Sequence, residues 1–436
     1  MLSSDTIFAQ STVYGRSGIA VIRISGPASG RALHALTGRS IEPRQASLCW
    51  LVDPARGERL DQAVVFRFSA PSSFTGEDVV ELQVHGSVAV SRRILDVLAT
   101  VDDLRPAEPG EFTRRALMNG RVDLAQVEGL ADLLSAETEV QRRQALRLME
   151  GGLSRKAEGW RTRLVRALAH VEATIDFADE EVPEELPPLV RDTLASVARE
   201  FDAELAMSRG AERLRDGFEV AIMGRPNVGK STLINALAAR EVALTSSIPG
   251  TTRDVIEVRM DIRGLPVTLL DTAGLRDDTE EIESLGVARA RHRAEAADLR
   301  VFVVDDPGDV SDLDVGVRGG DIVALAKADL RDESDGLAVS GTSGQGLDQL
   351  VLRMAEVLGE RVSSSASLTH ERQRVAIRNA LDEARMAIAG LDTRCGDNIL
   401  ISEHIRAVLR SLDALVGKTD VEAVLDVIFA SFCLGK

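Results

Sequence analysis

The chain has 436 residues, a formal net charge of −17 and an apolar fraction of 44%, which predicts a globular protein of two or three domains. The acidic charge excludes a protein that binds nucleic acid through a basic surface of its own, so any such contact must be local or supplied by a partner. Three widely spaced cysteines, no apolar run of the roughly 18 residues that a membrane span needs, and no signal-peptide pattern predict a cytoplasmic protein without disulfides or membrane spans.

The first 118 residues predict a mixed α/β domain. Apolar residues alternate or run together over 18–25, 62–68 and 78–84, which indicates three strands. A helical pattern follows over 90–98.

From about residue 120 the apolar period becomes three to four residues, which indicates amphipathic helices. The positions that carry the pattern are Val127, Leu130, Ala131, Leu134, Trp160, Leu164, Leu168, Val171 and Ile175. An acidic interruption with prolines over 179–188 precedes a further helix, which we expect to end near Arg209.

One octapeptide fits the phosphate-binding loop pattern G-x-x-x-x-G-K-[ST], namely Gly224-Arg225-Pro226-Asn227-Val228-Gly229-Lys230-Ser231. A strand pattern over 218–223 precedes it and a helix pattern over 232–237 follows it. In such a loop Lys230 would reach the β- and γ-phosphates, and the Ser231 hydroxyl would ligate Mg²⁺. The alternative is a chance match in an ordinary strand–turn–helix, which this context disfavours.

Three further strand patterns, over 267–270, 300–304 and 322–325, complete the alternation that is typical of a doubly wound sheet. The first runs into an acidic turn that would hold Mg²⁺ through water and sense the γ-phosphate, Asp271-Thr272-Ala273-Gly274. The pair Thr251-Thr252 lies between this turn and the phosphate loop, where a switch threonine would ligate Mg²⁺.

The last of these strands ends in Ala326-Lys327-Ala328-Asp329, which resembles the base-reading Asn-Lys-x-Asp motif of small GTPases. An Asp that accepts from two guanine nitrogens rejects adenine, because its lone pairs would be left unpaired. Lys327 and Asp329 are present, and Ser340-Gly341-Thr342 fits the last base-binding loop. Because Ala326 replaces the Asn, we predict GTP binding with weaker base discrimination.

Hydrolysis needs a group that orients the attacking water. Ras-like enzymes use a Gln after the Asp-x-x-Gly turn, but Leu275 occupies that position here. Arg253 is a candidate arginine finger, although a structural role explains it at least as well. Another group must therefore place the water and neutralise the charge of the transition state.

A serine-rich linker over 363–367 precedes a second helical block. Its apolar positions are Leu381, Ala384, Ile388, Leu391, Ile405, Val408, Leu409, Leu412 and Leu415. Since two helical blocks flank one α/β unit, the economical architecture is a helical domain with the nucleotide domain inserted into it. We predict an N-terminal α/β domain over 1–118, helical parts over 119–214 and 363–436, and a GTPase domain over 215–362.

A series of ordered motifs spans the chain. They are Asp5-Thr6-Ile7-Phe8-Ala9-Gln10, Arg23-Ile24-Ser25-Gly26, Ser73-Phe74-Thr75-Gly76-Glu77-Asp78, Pro109-Gly110-Glu111-Phe112-Thr113, Leu124-Ala125-Gln126, Ile175-Asp176-Phe177, Pro249-Gly250-Thr251-Thr252-Arg253-Asp254 and Cys433-Leu434-Gly435-Lys436. Through them the chain resembles the MnmE (TrmE) family of tRNA-modification GTPases. The resemblance implies α/β plus α architecture: an N-terminal tetrahydrofolate-binding-like domain that dimerises, a discontinuous helical domain and an inserted Ras-like P-loop GTPase domain.

The resemblance also implies potassium-dependent hydrolysis. Asn227 would ligate K⁺, with further oxygens at Ser246, Ile248 and Thr251 of a loop that also contains Ser247, Pro249 and Gly250. A fixed cation beside the β- and γ-phosphates can replace an arginine finger. Family members carry an acidic residue that positions water, and Glu283 matches it. Taken without the resemblance, Glu283 is better explained as a solvated charge beside Glu280 and Glu281.

In the N-terminal domain, the resemblance implies contacts with 5-formyltetrahydrofolate or a related reduced folate at Arg23, Glu81, Arg121 and Lys436. A carboxylate suits the pterin amino edge and cations suit the folate carboxylates, although each residue alone would be read as a surface charge. In the family the C-terminal tail enters the active centre. Cys433 is therefore either a group that takes part in chemistry or a small buried hydrophobe.

These implications combine into one function. The chain would act as a homodimer with the FAD-dependent partner MnmG (GidA), in a heterotetramer, on certain tRNAs. The pair would add an aminomethyl or carboxymethylaminomethyl group to carbon 5 of the wobble uridine, with folate as the one-carbon source. The alternative is a regulatory GTPase switch in ribosome assembly without nucleoside chemistry, and the folate-type residues and the tail favour the first hypothesis.

Overall fold

A computed structural model describes residues 5–176, 188–240, 257–271, 292–312, 316–331, 336–361, 367–393, 397–418 and 435. The chain divides into two compact units, residues 1–131 with 413–436 and residues 132–412. Each unit has a six-stranded sheet of its own. Within the described ranges, no helix is both long and apolar enough to cross a bilayer.

The sheet of the first unit contains β1 (Thr6–Gln10), β2 (Ile19–Ser25), β3 (Ser47–Val52), β4 (Arg59–Phe68), β5 (Val79–His85) and β6 (Leu104–Pro106). The strand order is β3-β4-β5-β2-β1-β6, and all neighbours are antiparallel except β1 and β6. The three predicted strands are confirmed as β2, β4 and β5. The sequence patterns miss β1, β3 and β6, of which β3 and β6 are edge strands and β6 has only three residues.

The helices of the first unit are α1 (Ser29–Thr37), α2 (Val88–Leu98), α3 (Glu111–Met118) and the start of α4 (Leu124–Ser135). The helix predicted over 90–98 is confirmed as α2. Both α1 and α2 pack on the sheet, where Ile22, Ile24 and Leu82 are part of the buried core. Because successive side chains of a strand point to opposite faces, the neighbouring residues Arg23 and Glu81 belong to the other face of β2 and β5.

The first unit contains a partly buried cluster of charged residues that includes Arg105, Arg115, Asp5 and Glu111. Arg105 pairs with Asp5 and with Glu111, each at 2.5 Å, and Arg115 pairs with the same two carboxylates at 2.9 and 3.0 Å. Burial opposes the ionisation of Glu111, but hydrogen bonds from Arg105, a backbone N–H and Arg115 outweigh it and hold its pKa below the usual 4.5. Burial also opposes the ionisation of Asp5, but the hydrogen bonds from Arg105 and Arg115 outweigh this effect and hold the pKa of Asp5 below the usual 3.8.

Acid should therefore destabilise the first unit. Because both pKa values are depressed by folding, the stabilisation is complete above the unfolded-state values near pH 4 and is lost as pH falls through the folded-state values. We expect Arg105→Met to lower the free energy of unfolding by only about 1 kcal/mol at neutral pH, since the pair is partly solvated. The variant should also lose less stability than the unsubstituted chain as the pH falls. Urea unfolding midpoints from about pH 6 to about pH 2 measure the stability and its dependence on pH. An equally steep loss of stability with falling pH in the variant would contradict the assignment.

The described helices of the second unit are α5 (Glu139–Met149), α6 (Gly152–Asp176), α7 (Pro188–Asp216), α8 (Lys230–Arg240), α9 (Leu347–Gly359), α10 (Glu371–Asp392) and α11 (Asn398–Val416), of which the last four residues belong to the first unit. The helices α7 and α10 lie antiparallel along each other. Three ion pairs join them from end to end: Arg191–Asp392, Asp202–Arg385 and Glu212–Arg374. Two helices that are far apart in sequence therefore form one packed layer.

The predicted end of a helix near Arg209 is wrong. The helix α7 continues through Gly210 to Asp216, because Ala211 and Leu214 are fully buried and the packing outweighs the low helix propensity of one glycine. It stops at Gly217, whose φ of 91° lies in the region that glycine adopts freely. Pro188, predicted to lie in the preceding interruption, is instead the first residue of the helix, where a proline is well tolerated.

The sheet of the second unit contains β7 (Phe218–Met223), β8 (Glu257–Ile262), β9 (Leu265–Asp271), β10 (Leu299–Val304), β11 (Ile322–Leu325) and β12 (Leu337–Ala338). The order is β12-β11-β10-β7-β9-β8. The four predicted strands are confirmed as β7, β9, β10 and β11, and they are parallel with their carboxyl ends at one edge. Such an edge is where open α/β sheets bind ligands.

The strand β8 is an antiparallel addition that the alternation of strands and helices does not predict. It joins β9 through the two-residue turn Arg263-Gly264, whose φ values are 54° and 91°. Positive φ at both positions is typical of the hairpin turns that match the strand twist.

The α/β part of this unit starts directly after α7 and ends before α10. Arg215 Nη1 donates to His370 Nδ1 at 2.5 Å, so its two ends lie side by side. Adjacent ends are what the insertion of one domain into another requires.

Candidate functional site

The phosphate-loop residues 224–229 connect the carboxyl end of β7 to α8, which begins at Lys230. Gly224 has a φ of 149°, and a Cβ there would lie 2.2 Å from the carbonyl oxygen of Val303, so only glycine fits. The loop thus runs from the end of β7 to the N-terminus of α8, the strand–loop–helix path that the motif predicts.

Lys230 lies inside this turn. Its side chain is buried, and its Nζ donates to the carbonyl oxygens of Gly224 and Arg225 at 2.8 and 2.9 Å. Burial lowers the pKa of Lys230 below its usual 10.5, although the charge of Asp271 acts in the opposite direction. A phosphate anion would therefore meet a cation that is poorly solvated and already held at the loop.

Ser231 and Asp271 come together at the ends of α8 and β9. The Ser231 hydroxyl donates to Asp271 Oδ2 at 2.8 Å, and Asp271 is buried. A hydroxyl and a carboxylate beside a phosphate loop are oxygen donors of the kind that Mg²⁺ prefers. These two residues fit the Mg²⁺ site predicted from the sequence.

A cavity of about 240 Å³ lies between the phosphate loop and the ends of β10 and β11. Residues from three separate motifs line it together: Asn227, Val228, Gly229, Lys327, Asp329, Ser340, Gly341 and Thr342. The phosphate end and the predicted base end thus share one cavity. Its position at the carboxyl edge of the sheet is the one expected for a nucleotide.

The last base-binding loop is fixed by close packing. The Ser340 Oγ accepts from the backbone N–H groups of Thr342 and Ser343 at 3.2 and 3.1 Å. A Cβ at Gly341 would lie 2.7 Å from the backbone of Thr232 in α8, so this position also requires glycine. The loop therefore lies directly against the helix that follows the phosphate loop.

Two residues near the cavity carry no sequence motif. Asp305 follows β10 and accepts from Lys327 Nζ at 2.9 Å, and Arg331 donates from Nε to the carbonyl oxygen of Ala326 at 2.9 Å. The only signal for Asp305 was its place at the carboxyl end of a parallel strand, and Arg331 had none.

Several predicted site residues lie outside the described residues. They are Ser246, Ser247, Ile248, Pro249, Gly250, Thr251, Thr252, Thr272, Ala273, Gly274, Glu283, Cys433 and Lys436.

In the first unit the structure brings Arg23 and Glu81 together. They are paired across β2 and β5, and Arg23 Nε donates to Glu81 Oε1 at 2.9 Å. The Arg23 guanidinium also lies 5.4 Å from the centroid of the Phe74 ring and 5.6 Å from that of Phe112. This cation is thus held between a carboxylate and two aromatic rings.

Arg121 packs against the turn at Gly76. Its Cγ is 3.2 Å from where a Cβ of Gly76 would be, so Arg121 covers the turn that follows Phe74. The tail reaches the same unit: Gly435 is buried, and a Cβ there would lie 2.2 Å from the carbonyl oxygen of Gln10. Gln10 is next to Ala9, which pairs with Arg23 across the sheet. Of the predicted folate-type residues that are described, Arg23 and Glu81 are thus in direct contact, and Arg121 packs on the turn at Gly76.

The chain matches two family profiles, which together span residues 6–433 except 122 and 123. The profile of the MnmE helical domain matches residues 124–433, and that of the GTP-binding protein TrmE N-terminus matches residues 6–121. The tRNA modification GTPase MnmE of Ruegeria pomeroyi is 53% identical over 432 residues, which cover 99% of this chain and 100% of the relative. The proteins of the same name from Cereibacter sphaeroides and Dinoroseobacter shibae are 53% and 50% identical, with the same coverage.

Proposed function

Because the chain belongs to the MnmE family of tRNA modification GTPases, we propose that it is a potassium-activated GTPase that modifies carbon 5 of the wobble uridine of certain tRNAs together with the FAD-dependent protein MnmG. GTP hydrolysis in tRNA modification follows from the family itself. The dependence on potassium, the partner, the position on the uridine and the use of a tetrahydrofolate one-carbon unit are the proposed details.

The main support for the proposal is that the phosphate loop and the base-reading motif line the same cavity. Lys230 supplies a cation for the β- and γ-phosphates, and Ser231 and Asp271 supply oxygens for Mg²⁺. Lys327 and Asp329 line the other end, where Asp329 would accept from two guanine nitrogens.

Asn227 fits a ligand of K⁺. It lines the nucleotide cavity, is exposed, and carries an acceptor oxygen on its amide. We assign Ser246, Ile248 and Thr251 as the other ligands and Thr252 as a Mg²⁺ ligand on the family resemblance. Bound K⁺ would supply positive charge beside the β- and γ-phosphates, where other GTPases use an arginine. Glu283 would orient the attacking water, a task that Leu275 has no polar group to perform.

For the first unit we propose the binding of 5-formyltetrahydrofolate or a related reduced folate. Arg23 is a fixed cation on the sheet face away from α1 and α2, and Arg121 is a second cation, which packs on the turn at Gly76. Such cations suit the folate carboxylates, and Glu81 suits the amino edge of the pterin. Lys436 is the fourth proposed contact, and Cys433 remains the candidate for chemistry in the tail.

We further propose a cytoplasmic homodimer that dimerises through residues 1–118 and forms a heterotetramer with MnmG. The net charge of −17 supports a partner that supplies much of the surface for tRNA. The α/β GTPase domain over 215–362 would then be carried by a helical domain made of 119–214 and 363–436.

The test is a host strain in which the gene is deleted. We expect its tRNA to lack the carbon 5 modification of the wobble uridine, as measured by mass spectrometry of tRNA nucleosides, and the intact chain to restore it. The Arg23→Ala variant should fail to restore the tRNA modification in this strain. Its GTP turnover in potassium should stay normal, because the folate site and the nucleotide site use different residues. Normal modification in the deletion strain would favour the regulatory GTPase instead.

Arg31→Ala is the matched control. Arg31 is an exposed arginine of the same unit that pairs with Asp103 at 2.5 Å, so its loss should leave modification intact. If Arg23→Ala also restored full modification, the folate role of Arg23 would be wrong.

A further inference from the structure

The base loop, residues 326–331, is held without the asparagine that small GTPases place at its start. Ala326 is buried and has no polar side-chain atom. Its backbone N–H donates to the carbonyl oxygen of Val304 at 2.8 Å, and the N–H of Ala328 donates to that of Val339 at 3.1 Å. These backbone bonds fix the first half of the loop only.

The second half, which closes a 3-10 turn of its own, is tied to the neighbouring strand ends by the side chain of Arg331. Its Nε donates to the carbonyl oxygen of Ala326 at 2.9 Å, and its Nη2 donates to the carbonyl oxygen of Asp305. One guanidinium thus joins the residues that follow β10 and β11. The side chain of Asp305 in turn accepts from Lys327 Nζ at 2.9 Å, so the same joint includes the lysine of the motif.

The path of the chain places Asp329 inside this joint. A single turn of 3-10 helix over residues 328–330 closes through the N–H of Leu330 on Lys327 O at 3.0 Å and that of Arg331 on Ala328 O at 3.2 Å. Asp329 therefore lies between two anchored neighbours, Ala328 and Arg331, and it lines the nucleotide cavity. A shift of either anchor would move its carboxylate.

We infer that Arg331 is a positioning residue for guanine recognition, which takes over the task of the missing asparagine by tying the base loop to the end of β10. The inference rests on the proposed role of Asp329 in reading the base. An arginine suits this task because its planar group offers several donors in a fixed fork, whereas a lysine ammonium is a flexible point charge.

The test compares the dissociation constants of GDP and IDP for the full chain. Inosine lacks the 2-amino group of guanine, so the ratio of the two constants reports the second hydrogen bond to Asp329. We expect the unsubstituted chain to bind GDP more tightly than IDP. Arg331→Ala should weaken the binding of GDP by about tenfold and change the binding of IDP much less. Arg331→Lys should behave like Arg331→Ala. Ala326→Asn added to either variant should restore the preference.

Arg318→Ala is the matched control, because Arg318 Nη1 also donates to a backbone carbonyl, that of Glu295 at 2.9 Å, and does not line the cavity. It should leave the ratio unchanged. A GDP preference that persists in both Arg331 variants would overturn the inference alone. An unsubstituted chain that binds GDP and IDP equally would overturn the role of Asp329, and the inference with it.

Discussion

Glu283→Ala is expected to lower GTP turnover by about 10²- to 10⁴-fold, the usual contribution of a group that positions or deprotonates a nucleophile. The affinity for GTP should change by less than about twofold, because such a group acts on the water and not on the bound nucleotide. The reason is that Leu275 leaves this enzyme without the glutamine of Ras-like proteins. Single-turnover hydrolysis and nucleotide titration measure the two quantities separately.

Glu281→Ala is the control for this prediction, since it removes a carboxylate of the same type two residues away. Its turnover should remain near that of the unsubstituted chain. Equal, small effects of both substitutions would remove Glu283 from the mechanism.

Asn227→Gly is expected to abolish the stimulation of GTP turnover by potassium, a loss on the order of 10²-fold by analogy with the removal of one preorganised electrostatic group. Glycine is the right replacement because Asn227 has a φ of 62°, which glycine adopts freely. Alanine would add roughly 1–2 kcal/mol of backbone strain in the left-handed region and confuse the result. The rate in sodium should hardly change.

The affinity of Asn227→Gly for GDP in sodium provides the control, because an intact phosphate loop should keep it. If the variant still hydrolysed GTP faster in potassium than in sodium, Asn227 would not be a ligand of the activating ion.

The parts of the fold that sequence could predict are those with a pattern of their own. The phosphate loop has fixed glycines and a polar end, and the strands β7, β9, β10 and β11 are short apolar runs at regular intervals. The residues of the hairpin strand β8 do alternate between apolar and charged, which is itself a strand pattern. The strand was missed because it lies outside the strand–helix alternation of a doubly wound sheet and because its turn, Arg263-Gly264, is not one of the common turn pairs. The true end of α7 depended on the burial of Ala211 and Leu214, which a local pattern around Gly210 does not reveal.

The candidate site shows the same division. Lys230, Ser231 and Asp329 could be found from motifs, because phosphate and guanine demand particular side chains at particular spacings. Arg331 and Asp305 could not, since a side chain that donates to a backbone carbonyl needs only the right geometry and leaves no spacing rule. The contact of the tail with Gln10 likewise joins the two ends of the chain and has no local signal.

The most direct measurement is the initial rate of GTP hydrolysis by the full chain in potassium chloride and in sodium chloride at equal ionic strength and saturating Mg²⁺. We expect potassium to support a rate at least about tenfold higher, because a fixed monovalent cation would perform the charge neutralisation that an arginine finger supplies elsewhere. Equal rates in the two salts would contradict the account of how this enzyme hydrolyses GTP.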